Sequence, residues 1–83
     1  MFGPKAKDKP VLNYDREHDV LYISLGRPAP SYSDEDGVRG VLIRRAIGTG
    51  EITGATIIDY SKRDKKQLQK VLPFRVNQKE VNL

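Results

Sequence analysis

Tyr14-Asp15-Arg16-Glu17-His18-Asp19-Val20-Leu21-Tyr22-Ile23 is the stretch on which the fold turns. Its first half is a charged turn and its second half is a strand. In Val20 to Leu25, Leu21, Ile23 and Leu25 fall on one face and Val20, Tyr22 and Ser24 on the other, the period of two that an extended chain imposes. The β-branched and aromatic residues favour that conformation. The second face is not purely polar, which predicts a face only half covered. Asp15 opens the turn, where an aspartate bonds its own backbone two residues on. Val11 to Tyr14 then reads as a short strand, and the whole stretch as a hairpin.

Working outward, residues 26–37 read as a loop, with Pro28, Pro30 and the acidic run Asp34-Glu35-Asp36 closed by Gly37. Val41 to Ile47 is the next strand, with Val41, Ile43 and Ile47 on one face and Leu42, Arg44 and Ala46 on the other. Gly48-Thr49-Gly50 is a hairpin turn, and Ile52 to Asp59 is the return strand. Gly54 interrupts that strand and marks a bulge or a close backbone approach. Ser61 followed by Asp64 resembles a capping box and places a helix start at Ser61. Leu68, Val71 and Leu72 form a narrow apolar stripe, and Pro73 ends the helix. The expected fold is α+β: a four-stranded antiparallel β-meander with one C-terminal helix packed on one face. Residues 1–10 are a flexible basic leader, 11–73 a single domain, and 74–83 a C-terminal tail that adds a strand, packs on a partner or stays loose.

A chain of 83 residues buries only roughly 60–65% of its unfolded surface. Such a core rarely supplies more than about 3–5 kcal/mol, which raises the expectation of self-association. With no Cys, disulfides, thiolate metal sites and thiol catalysis are excluded. No apolar run is long enough to span a bilayer, and the first ten residues lack the apolar middle of a signal peptide. The expectation is a cytoplasmic protein. The net charge of +4 divides into +2 for residues 1–10, −3 for 11–60 and +5 for 61–83.

The middle of the chain resembles a family of short prokaryotic proteins, the domain of unknown function 2283 family. Tyr14-Asp15, Asp19-Val20-Leu21-Tyr22-Ile23, Gly40-Val41-Leu42-Ile43 and Ile52-Thr53-Gly54-Ala55 carry the resemblance, which spans Val11 to Lys62. It implies a four-stranded antiparallel sheet with a helix and brings no established activity. Gene neighbourhood links some relatives to small toxins, as antitoxin-like partners. The chain departs from the pattern at Arg44-Arg45-Ala46-Ile47-Gly48-Thr49-Gly50, where the family carries acidic turn residues, and its helix and tail are more basic.

Three constellations are candidates for function. Asp15, Glu17, His18 and Asp19 are residue types that ligate metals or move protons. Residues adjacent on a hairpin mostly diverge, however, and an oxygen-ligand cation site needs about six converging donors. The competing reading is that Asp15 and Asp19 bond turn amides and set the hairpin register. Tyr14 and Tyr22, on neighbouring strands, could stack bases or simply pack. Lys62, Arg63, Lys65, Lys66 and Lys70 are the candidate nucleic-acid contacts. Arg44 and Arg45 point to opposite faces of their strand, so only one could join that patch.

Catalysis has little support: there is one His, no Cys and no nucleophile elbow. The expected function is that of a non-catalytic binding protein, a homodimer, with an antitoxin-like role toward a toxin-like protein partner as its finer form. Val20, Tyr22, Leu42 and Ile58 are the expected dimer or partner interface. The alternative is a nucleic-acid-binding module using the basic helix, and third comes a small hydrolase or metal-binding protein built on the acidic turn. No cofactor, resident metal or membrane association is expected.

Overall fold

The computed structural model describes residues 10–26, 29–35, 37–77 and Val81. Most of the leader, Pro28, Asp36 and part of the tail lie outside the described residues. Five strands occur in chain order: β1 Val11–Asp15, β2 Val20–Ser24, β3 Ser31–Glu35, β4 Val41–Ala46 and β5 Ile52–Ile58. A 3-10 turn at Tyr60–Lys62 and the helix α1, Lys65–Val71, follow. The strands form one sheet in the order β1-β2-β5-β4-β3, every neighbouring pair antiparallel.

The architecture is α+β with one antiparallel sheet and one helix, but two expectations need correction. The sheet has five strands rather than four, and it is not a meander. Ser31–Glu35 falls inside the segment that Pro28, Pro30 and the acidic run ending at Gly37 mark as a loop, and Ser-Tyr-Ser-Asp-Glu has no apolar alternation to mark a strand there. It is an edge strand, exposed along nearly all its length, and among the described residues it pairs only with β4. That hairpin explains the order. With β3 on one side of β4 and β5 on the other, β4 has no free edge, and β2 joins the sheet at β5. The most apolar strands therefore occupy the centre.

Pairing fixes the two faces. Tyr14, Leu21, Ile57 and Val41 lie in one row across the sheet, and Leu12, Ile23, Ala55 and Ile43 in the next. These rows face the core, where Leu21, Ile23, Ala55 and Ile57 are fully buried. The bulge foreseen near Gly54 is present. Arg44 pairs with Gly54 but Arg45 pairs with Ile52, so Thr53 is the extra residue.

The helix begins later than Ser61. The Asp64 carboxylate accepts from the amides of Lys66 (2.9 Å) and Gln67 (3.3 Å), so Asp64 is the N-cap. Leu68 and Leu72 drop into the core, whereas Val71 stays 40% exposed, which narrows the expected stripe to two residues. Val76 and Val81 from the tail are also buried in this core. Gln69 pins the tail by donating to the Phe74 carbonyl at 2.8 Å and accepting from the Val76 amide at 3.0 Å.

Candidate functional site

The face opposite α1 carries Val11, Asn13, Val20, Tyr22, Thr56, Ile58 and Leu42, placed there by the alternation that buries their neighbours. Val11, Tyr22 and Ile58 are 65%, 41% and 40% exposed, while Val20, Thr56 and Leu42 are half-buried. The four residues expected from the sequence to form an interface, Val20, Tyr22, Leu42 and Ile58, therefore lie on one open surface. Tyr14 does not join Tyr22. It lies on the core face, edge-on to Tyr60 with ring centroids 5.8 Å apart, so the two tyrosines offer no shared stacking platform.

Arg44 shapes the open face, a role that its sequence context did not suggest. Its guanidinium lies over Gly54 and donates to the carbonyl of Ile23 and, at 3.4 Å, to that of Ala55. The side chain thus crosses β5 and ties β4 to β2. A Cβ at residue 54 would collide with this guanidinium and with the Ile23 carbonyl, so the glycine makes the crossing possible. The Arg44 Nε is buried without a partner. Arg45 points the other way, toward the Gly50 carbonyl. The only sequence signal for the crossing was a glycine inside a strand.

The acidic turn divides into two parts. The Asp15 carboxylate accepts from the amides of Glu17 (3.1 Å) and His18 (3.3 Å) and lies 2.8 Å from His18 Nδ1. The His18 ring bond is the main cause holding Asp15 below the usual carboxylate range. Ligand atoms of Asp15, Glu17 and His18 come within 4.8 Å of one another, but all three already cluster within one exposed turn, far short of the donors an oxygen cage needs. Asp19 turns away from them. With φ of 56°, a conformation that aspartate tolerates better than most residues, it accepts from the Tyr14 hydroxyl at 2.5 Å. It also accepts from the Ser61 amide at 2.9 Å and the Ser61 hydroxyl at 2.8 Å. Its backbone carbonyl takes the Tyr60 amide. Asp19 thus bonds a distant segment rather than the turn amides expected for it. The Tyr14 bond, with those from Ser61, lowers the Asp19 carboxyl from its ordinary value, and the same bond raises the Tyr14 phenol.

The five bases considered for nucleic acid also divide. Arg63 donates to the Ile58 and Arg39 carbonyls at 2.7 and 2.9 Å, lying where a Cβ on Gly40 would be. Lys65 donates to the Tyr60 and Arg63 carbonyls, both at 2.9 Å, with its ammonium 4.4 Å from the Tyr60 ring centre. Lys62, Lys66 and Lys70 remain exposed. A half-open cleft of about 290 Å³ lies between Val38 and the start of α1, rimmed by Lys62, Arg63 and Asp64. His18 is not in it. Among the described residues no helix is long and apolar enough to cross a membrane. Comparison with protein-family models, curated proteins and solved structures finds no match.

Proposed function

We propose that the protein is a small non-catalytic binding protein that acts in the cytoplasm as a homodimer, with the open sheet face as its contact surface. The observation that carries this reading is the contrast within one sheet. α1 and the tail close one face, while the other presents Val20, Tyr22, Leu42 and Ile58 beside Val11 and Thr56. An apolar surface of this kind on a small domain marks an interaction site, and a second copy would add to a core that is small for the chain length. The finer form, drawn from the resemblance over Val11 to Lys62, is an antitoxin-like module whose dimer engages a toxin-like protein. The nucleic-acid reading is weaker because Arg63 and Lys65 spend their charge on backbone carbonyls.

Light scattering over a range of concentrations tests the homodimer. A dimer is expected, with a melting temperature that falls on dilution. Tyr22→Lys should weaken association while leaving the fold intact, because the side chain already reaches solvent. A monomer at high micromolar concentration, with a melting temperature indifferent to dilution, overturns the reading.

A further inference from the structure

The two edges of the sheet are β1 and β3, and they are protected unequally. An uncovered edge is a template for another strand unless charge, proline or a bulge blunts it. β3 carries Asp34 and Glu35, so pairing β3 with a second β3 would crowd like charges. β1 is Val11-Leu12-Asn13-Tyr14-Asp15, uncharged until its last residue and in unbroken register with β2. Among the described residues, β1 pairs with β2 alone.

Hydrogen-bond parity shows which backbone groups β1 leaves free. Leu25 donates to the Thr53 carbonyl at 2.9 Å, so Leu21 and Ile23, of the same parity, turn their backbones toward β5. Val20, Tyr22 and Ser24 then face β1, where their partners are Asp15, Asn13 and Val11. The amides and carbonyls of Leu12 and Tyr14 are left pointing out of the sheet.

We propose that β1 pairs antiparallel with β1 of a second copy about a two-fold axis at Asn13, joining the two sheets into one. This register sets Leu12 opposite Tyr14 of the second copy, so the outward-pointing groups meet as two reciprocal pairs of hydrogen bonds. A slip toward the N-terminus would oppose Tyr14 with Pro10, which has no amide to donate. A slip the other way would run into Arg16 in the turn. The side chains agree with the register. Leu12 and Tyr14 are half-buried at the rim of the core, and each would cover the other across the new pair. A five-residue strand pair buries much less than the roughly 1,000 Å² of a stable complex, so this contact is weak alone. Its hydrogen bonds come from the edge groups of Leu12 and Tyr14, so it does not rest on the reading given to the open face, although Asn13 and Val11 also present their side chains there.

The chain has no cysteine, so a single introduced thiol reports one contact. Asn13 would sit on the two-fold axis at a non-hydrogen-bonded position, with Cα atoms about 4.5 Å apart, within disulfide reach. Under mild oxidation Asn13→Cys should form a disulfide-linked dimer about tenfold faster than Thr49→Cys, a control in the exposed turn, because pairing raises the effective thiol concentration. In the unmodified protein the Leu12 and Tyr14 amides should gain hydrogen-exchange protection as concentration rises. The outward amides of Ser31 and Ser33 on β3 should not. Equal cross-linking rates, or no concentration-dependent protection at Leu12 and Tyr14, overturns the proposal. Because Asn13 and Tyr22 are cross-strand neighbours on the open face, the Leu12 and Tyr14 amides keep the two contacts apart: cross-linking at Asn13→Cys or Tyr22→Cys without protection of those amides defeats the edge and spares the face, and protection of those amides without cross-linking at Tyr22→Cys spares the edge.

Discussion

On the covered face of the sheet Leu21, Ile23 and Ile57 are fully buried, while one residue along the same strands Tyr22 and Ile58 remain 41% and 40% exposed. The two faces are equally well ordered by the strand ladder but are finished differently. The covered face shares one buried core with Leu68, Leu72, Val76 and Val81. The open face is tied across β5 by Arg44, which occupies the space that Gly54 leaves. A core needs volume filled on both sides, whereas a face proposed as a contact surface needs only to be held in place before a partner arrives. Substitutions on the first face should therefore read out as stability, and on the second chiefly as association.

The largest expected effect breaks the covered face. Leu68 is 3% exposed and is the buried residue of α1. Leu68→Ala should cost about 2–5 kcal/mol, measured by urea unfolding, and should loosen the tail that packs behind it. Val71→Ala on the same helix should cost much less, since Val71 is 40% exposed. Equal losses at the two positions would mean that α1 seats differently on the sheet.

Next in size is the exception on the open face. Gly54→Ala would drive a methyl group into the Ile23 carbonyl and displace the Arg44 guanidinium. Overpacking of this kind costs about 1–3 kcal/mol. Arg44→Met should partly relieve Gly54→Ala, because it removes one of the two obstacles, and a double-mutant cycle measures that coupling. Additive losses would show that the crossing does not link the two residues.

What was legible in the sequence follows the same division. β1, β2, β4 and β5 could be read because each carries apolar residues at alternate positions that face a core. β3 could not, because an edge strand held by backbone pairing with β4 has no buried face to write into its sequence. The strand order was illegible for the same reason, since it depends on β3 filling the free edge of β4. The open face was legible because Val20, Tyr22, Leu42 and Ile58 follow from the same alternation as the core. The role of Asp19 was not, since its partner Ser61 is 42 positions away. The local Ser61 and Asp64 spacing suggested a capping box, yet Ser61 is held by Asp19 and Asp64 caps the helix alone.

A smaller effect, present near neutrality and lost in acid, should come from Asp19→Asn. The Asp19 carboxyl is lowered from its ordinary value by the Tyr14 and Ser61 bonds. A carboxylate lowered in the folded state stabilises the protein above its unfolded value, about 3.9, and loses that contribution as pH falls through the lowered one. The gap in melting temperature between the parent and Asp19→Asn should be constant near neutrality and narrow below about pH 4. Asp15 is lowered too, but it titrates in both proteins and cancels from the difference. A gap unchanged down to the acid limit would show that the Asp19 charge contributes nothing to the link between the hairpin and Ser61.

The smallest effect is expected where the charge is greatest. Lys62, Lys66 and Lys70 face solvent, whereas Lys65 lies over the Tyr60 ring and bonds two carbonyls. Replacing the three exposed lysines with Gln should leave both the melting temperature and self-association unchanged. Lys65→Gln alone should lower the melting temperature, because it removes a cation from an aromatic face and leaves the Tyr60 and Arg63 carbonyls without that donor. Binding of the parent to duplex DNA or to RNA should be non-specific and weakened by salt, with a dissociation constant on the order of 10⁻⁴ to 10⁻⁶ M. Three lysines on a turn and a short helix neutralise few phosphates, so the salt slope should be shallow, on the order of three ions at most. Sub-micromolar binding at physiological salt, abolished by the triple Gln variant, would turn the comparison round. The helix that closes the covered face would then be the working surface, and the open face no more than a site of assembly.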